Sequence, residues 1–241
     1  MAALPHNYEV GQYAKDTYFL FDDFNYFVTA DLWTSVLTDS GTASVSDGAR
    51  GTLALVCSDG SVADNDEAYV RTTTELFLVA DNKPLRFEAR MQYTEANTDD
   101  ANVFCGFMSA IAANALVDDG AGMRTTGNYF VFFKVDGGTT WQVRSRNGST
   151  TYTNDTGITA GGATYQKFRV EIDNEGDGGT NVQVKYFIDD VQCKDATTFL
   201  PIVHKIPISS STEMHAGAGA KNGGANLETL NIDYIYASQK R

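Results

Sequence analysis

Three carboxylates stand at alternate positions in Glu171-Ile172-Asp173-Asn174-Glu175. In an extended strand that spacing places all three on one face. Two carboxyl groups about 5–5.5 Å apart can act as nucleophile and acid/base in retaining glycoside hydrolysis. Glu175, however, opens Glu-Gly-Asp-Gly-Gly, a turn composition rather than a strand. Arg169 and Lys185 can stand opposite the acids as cross-strand partners. The run therefore reads as a solvated, charge-paired strand face, and the chain is expected not to be an enzyme.

Other candidate chemistry is sparse. Asp173-Asn-Glu-Gly-Asp177-Gly178 copies the start of a calcium loop. Its twelfth position is Val184, where an EF-hand needs a bidentate Glu, so an EF-hand is excluded. Asp64-Asn-Asp66-Glu67 and Asp118-Asp119 are similarly oxygen-rich and read as charged loops. His6, His204 and His215 are isolated, and no HExxH, GxSxG or phosphate-binding glycine loop is present. The cysteines are Cys57, Cys105 and Cys193. An odd count without CxxC points to free buried thiols, not to a disulfide framework or a zinc site. No metal and no cofactor are assigned.

Aromatic side chains offer a different chemistry, since rings stack on the apolar faces of sugars. Trp33, Trp141 and Tyr152 are candidates, although Trp141 alternates with Val143 and reads as core. Tyr8, Tyr13, Tyr18 and Phe19 crowd the N-terminal segment. Residues 1–16 read as an arm whose apolar surface docks on a partner, and these four are the candidate partner-binding residues. The formal net charge of −13 disfavours nucleic acid and anionic lipid. No apolar run approaches the ~20 residues of a membrane-spanning helix, and no signal-peptide core opens the chain. Synthesis in a cytoplasm is expected.

Helical periodicity is nearly absent. Short runs rich in Val, Thr, Phe and Tyr, cut by Gly, Asn and Asp, predict an all-β sandwich in residues 17–241. In Lys167–Asp173 the apolar Phe168, Val170 and Ile172 alternate with charged residues, and Val182–Ile188 alternates likewise. These two runs should pair as a hairpin. Asn147-Gly148 predicts a second hairpin through a type I′ turn. The last run places Leu230, Ile232, Tyr234 and Tyr236 on one face and should lock into the core. Gly217–Ala225 reads as a strand of small side chains against which a neighbouring backbone can approach closely.

The order of these features carries a resemblance. Phe21-Asp-Asp-Phe24 is followed by Leu85-Arg-Phe-Glu-Ala-Arg90, Tyr129–Gly137, Trp141, Asn147-Gly148, Tyr165–Asp173 and Val184–Asp190. Over residues 18–237 this resembles a concanavalin A-like (LamG-type) jelly roll, in particular domains of tailed-bacteriophage virion proteins. The resemblance implies two antiparallel sheets. It implies a decoration (cement) protein on a capsid surface, made in the host cytoplasm, bound without covalent chemistry to the major capsid protein and assembled as a homotrimer. The alternatives are a carbohydrate-binding or glucanase-type module of the same fold, with a glycan as ligand, or a tail or receptor-binding component. Glucanases of related fold carry an ExDxE strand with nucleophile first and acid/base last; in this chain Asn174 fills a spacer that is apolar there.

Overall fold

The computed structural model describes residues 16–46, 51–58, 61–95, 97–161, 164–174 and 179–241. Tyr8, Tyr13 and Glu175 lie outside them. The described strands are β1 (Thr17–Asp22), β2 (Trp33–Leu37), β3 (Thr42–Val45), β4 (Leu53–Val56), β5 (Glu67–Thr72), β6 (Phe77–Leu78) and β7 (Leu85–Thr94). Then come β8 (Ala101–Met108), β9 (Leu116–Val117), β10 (Gly122–Met123), β11 (Tyr129–Lys134), β12 (Thr140–Asn147) and β13 (Thr150–Thr159). The last are β14 (Gln166–Asn174), β15 (Asn181–Ile188), β16 (Val191–Gln192), β17 (Val203–Pro207), β18 (Glu213–Asn222) and β19 (Thr229–Lys240).

Two antiparallel sheets face each other, as expected. A nine-stranded sheet runs β16-β15-β14-β7-β19-β4-β3, with β1 also on β19 and β17 also on β15. An eight-stranded sheet runs β13-β12-β11-β8-β18-β5-β2, with β6 also on β18. Period-two alternation decides which residues meet between them. Strand β7 turns Leu85, Phe87, Ala89, Met91 and Tyr93 inward and Arg86, Glu88 and Arg90 outward. Rings from both sheets interlock: Phe87 on Phe107 at 5.7 Å, Phe132 on Phe168 at 5.3 Å, Trp141 on Phe168 at 4.7 Å. Such tilted contacts add to the burial of large apolar area.

The predicted hairpin of β14 and β15 is present, with Phe168 opposite Ile188 and Ile172 opposite Val184. The Asn147-Gly148 hairpin is present with a different turn. Asn147 pairs with Thr150, so the central residues are Gly148 and Ser149, and only Gly148 has positive φ, at 57°. That is the glycine-first pattern of a type II′ turn. The Gly-rich strand β18 fits its expected role. A Cβ on Gly217 would lie 2.2 Å from the Val70 carbonyl oxygen of β5, so only glycine allows that approach.

The two outer faces differ. Strands β8, β11 and β18 are buried on both sides. Their outward residues, including Phe104, Val131 and Phe133, form a second apolar cluster with Ile111, Leu116 and Met123. Residues 109–128, with the small β9–β10 ladder, supply that cover. The outer face of the nine-stranded sheet has no such cover among the described residues.

Candidate functional site

Cross-strand register builds the open face row by row. Phe21 of β1 stands opposite Tyr236 of β19, Tyr236 opposite Glu88 of β7, and Glu88 opposite Arg169 of β14. The next row runs Phe19, Ser238, Arg86, Glu171 and Lys185. Two adjoining depressions open on these rows. One, of about 380 Å³, is lined by Phe21, Arg86, Glu88, Tyr234 and Tyr236. The other, of about 330 Å³, is lined by Arg86, Glu171, Asp173 and Ser238 with Thr17, Pro84, Leu85 and Lys240. Arg86 belongs to both and links them.

The rings reach this face because of one irregularity. The β19–β7 register shifts between Ile232 and Tyr234. A bulge reverses which face successive residues point to. Leu230 and Ile232 stay in the core, Ile235 and Ala237 take over beyond the shift, and Tyr234 and Tyr236 turn outward. The expectation of four apolar residues on one face is thus corrected: strict alternation holds only on either side of Asp233.

Hydrogen bonds hold the site in place. The Tyr234 hydroxyl donates to Glu88 Oε1 at 2.8 Å, and Arg86 Nη2 meets Glu88 Oε2 at 2.5 Å. Burial raises the Tyr234 hydroxyl pKa above the usual tyrosine range, and the bond to Glu88 and its charge raise it further. The Arg86 guanidinium lies 5.9 Å from the centre of the Tyr236 ring, and Phe21 lies 5.8 Å from Tyr234. Phe21 is 57% exposed, so one ring face is free to stack. Flat rings beside fixed guanidinium and carboxylate groups suit a ligand with both apolar faces and hydroxyl edges.

Glu171 and Asp173 line this face. Arg169 Nε meets Glu171 Oε1 at 2.9 Å, and Arg86 and Lys185 flank Glu171 across the strands. Glu171 lies among three cations, which suits an ionised carboxylate. In the ExDxE order it would stand as the nucleophile, and the acid/base position, Glu175, lies outside the described residues. Of the other candidates, Phe19 is 52% exposed on this face, whereas Tyr18 points inward and packs 5.8 Å from Phe77. Trp33 and Trp141 are buried, and their indole N–H groups donate to Asp22 and Gln166. The half-exposed Tyr152 stacks on His204 at 5.4 Å.

Two oxygen-rich loops prove to be engaged. Asp66 accepts the Ala63 amide, Glu67 accepts the Tyr69 hydroxyl, and Asp118 pairs with Lys221. Among the described residues no three His, Cys, Asp or Glu side chains converge as a metal site. The three cysteines are buried and unpaired.

Folding does bring one distant set together. His204 Nδ1 lies 2.8 Å from Ser145 Oγ, and Nε2 lies 2.8 Å from Asn154 Oδ1, while Asn154 Nδ2 donates to Asp195 at 2.7 Å. Ser145 is fully buried between the sheets and also meets the Tyr186 hydroxyl at 2.7 Å. A hydroxyl with no path to solvent cannot attack a substrate, so this is a core network. Burial pushes His204 down to about 4, which keeps the imidazole neutral.

No family model matches the chain, and no curated protein matches it in sequence. Its likeness is structural. An endo-1,3-β-glucanase from Streptomyces sioyaensis superposes with a TM-score of 0.60 at 13% identity, covering 100% of this chain and 99% of that one. Lectin II from Ulex europaeus gives 0.56 at 11% identity, over 94% and 100% of the two chains. The Emp47p carbohydrate recognition domain gives 0.55 at 15% identity, over 93% and 97%. The fold is the concanavalin A-like jelly-roll sandwich. None of these three structures is described as a virion protein; what they share with this chain is the fold.

Proposed function

We propose that the protein is a carbohydrate-binding module whose sugar platform is the open face of the nine-stranded sheet. The observation that supports it is the paired depression around Arg86. Phe21, Tyr234 and Tyr236 offer rings to pyranose faces, and Arg86 and Glu88 are fixed to meet hydroxyl pairs. The known functions of proteins sharing the fold point the same way without deciding it. Binding is favoured over hydrolysis because the acid/base position of the ExDxE order falls on Glu175, in the turn composition Glu-Gly-Asp-Gly-Gly, and Asn174 fills the spacer that is apolar in glucanases of related fold.

A glycan array followed by calorimetry tests the proposal. Phe21→Ala and Arg86→Ala should each weaken the selected glycan about tenfold, equivalent to ~1.4 kcal/mol, with unchanged circular dichroism. Absence of any glycan ligand, or variants that bind like the parent, would refute it. Turnover of a β-glucan that Glu171→Gln abolishes would make the protein a glucanase-type enzyme instead.

A second reading, docking on a multicopy particle such as a phage capsid built of its major capsid protein, rests on a different patch. Val191, Phe199, Leu200 and Val203 crowd the turn between β16 and β17, with Phe199 73% exposed. Phe199 also has a positive φ of 59°, a conformation costly for a bulky residue unless its surroundings impose it. Asp195 ties this turn together: its carboxylate accepts the amides of Thr197 and Thr198, and its carbonyl accepts the Phe199 amide at 2.8 Å. In this reading a homotrimer presents three such anchors, and Phe199→Ser abolishes decoration of particles while leaving glycan binding intact.

A further inference from the structure

The segment that seals the eight-stranded sheet is fastened by an unusual group of side chains. Lys221 of β18 is fully buried. Its Nζ donates to Asn114 Oδ1 at 2.8 Å and to the Leu116 carbonyl at 3.2 Å, and pairs with Asp118 on the solvent side. Glu67 of β5, only 2% exposed, sets Oε2 3.7 Å from the same nitrogen. Glu67 also accepts the Asn114 backbone N–H at 2.9 and 3.1 Å and the Tyr69 hydroxyl. An amine, a carboxamide and a buried carboxylate therefore converge from three distant parts of the chain.

We propose that Lys221 and Asn114 join in a spontaneous intramolecular isopeptide bond, with Glu67 carrying the protons. The Lys221 ammonium gives one proton to the Glu67 carboxylate. The freed lone pair attacks Cγ of Asn114, forming the C–N bond and placing negative charge on Oδ1. Glu67 passes its proton to Nδ2 and takes a second from Nζ. The C–Nδ2 bond then breaks and ammonia leaves, departing as ammonium with the proton that Glu67 returns. The balance is one ammonium and one primary carboxamide giving one secondary amide and one ammonium ion. No oxidant or cofactor enters.

An amine and an amide do not react in water at useful rates. Two features change that here. Fixed proximity replaces a bimolecular encounter, and effective molarities in such settings reach ~10⁵–10⁸ M. A carboxylate within reach of the attacking nitrogen supplies general acid–base assistance. Asn114 is exposed on its outer side, which gives ammonia a way out. The bond would also serve the fold. Residues 109–128 have one short ladder of their own, the two residue pairs of β9 and β10, and a covalent tie to β18 would hold that cover on the sheet. The proposal is independent of sugar binding.

Mass spectrometry of the intact chain tests it. The expected mass is about 17 Da below that of the sequence, the loss of one ammonia. Succinimide formation at Asn147-Gly148 would cost the same mass, so the bond must be located. Trypsin should leave Lys221 uncut and yield peptide 91–124 joined to peptide 206–240. Lys221→Met and Glu67→Gln should each retain the ammonia and release peptide 91–124 unjoined. A full-mass chain after prolonged incubation, or an ammonia loss mapped elsewhere with Lys221 cleaved, overturns the proposal. If Lys221→Met does not fold, the peptide map of the unaltered protein decides. A joined peptide in Glu67→Gln would overturn the role given to Glu67.

Discussion

Protonating His204 should loosen the sandwich at mildly acidic pH. The imidazole is 3% exposed, wedged between Ser145 and Asn154, with Tyr152 stacked on it and Tyr186 edge-on at 5.4 Å. Burial pushes its pKa from the ordinary 6.5 to about 4. The unfolded chain then takes up a proton between those values while the folded chain does not. Stability is therefore full above about pH 6.5, falls as pH drops through the window, and flattens below about 4. The whole gap is worth about 3 kcal/mol at ~1.36 kcal/mol per pH unit, of which about 2.5 kcal/mol is lost by about pH 4.5. Urea unfolding of the parent and of His204→Gln at about pH 7.5 and about pH 4.5 isolates this contribution. Gln offers a donor and an acceptor but does not titrate, and the other titrating groups, including His215, are common to both proteins. The parent should lose about 2.5 kcal/mol more than the variant between the two conditions. Equal losses would mean that His204 is hydrated in solution and that the desolvation argument fails.

Three further outcomes follow from the packing. Trp141→Ala empties a site between Tyr93 and Phe168 and should cost about 3–5 kcal/mol in chemical denaturation. Gly217→Ala drives a methyl group to 2.2 Å from the Val70 carbonyl and should yield insoluble or unfolded protein, whereas Ala54→Gly in the neighbouring sheet should remain soluble. A thiol reagent should find the three cysteines unreactive in the native protein and all reactive in denaturant, because burial raises the pKa of each and bars access. One reactive thiol in the native state would show that an edge of the sandwich opens.

Much of the fold was legible in the chain because half-buried strands write their burial into alternate residues. Phe168, Val170 and Ile172 against Arg169, Glu171 and Asp173 determine both the strand and its inward face, and the matching run after residue 180 determines its partner. The Asp189-Asp190 turn is equally local, since both residues take positive φ in a two-residue hairpin loop. Strands with weak or mixed patterns escaped notice: Trp33–Leu37 and Val203–Pro207 are ordered by the neighbours they pair with, Thr72–Ala68 and Lys185–Asn181. Of the two cations expected opposite Glu171, register places only Lys185 there; Arg169 lies two residues back on the same strand and pairs with Glu171 along it.

What the sequence could not determine was anything that depends on where alternation breaks or on which distant segments meet. The shift at Asp233 leaves no mark in composition, yet it moves Tyr234 and Tyr236 from the core to the open face and creates the candidate site. Arg86 and Glu88 look like ordinary wet residues of a strand until β1 and β19 set rings beside them. The sealing of one sheet by residues 109–128, and the meeting of Asn114 of that cover with the buried Glu67 and Lys221, join positions 47 and 107 residues apart. Local physics fixes which way a side chain points along its own strand. Only closure of the two sheets decides what it faces.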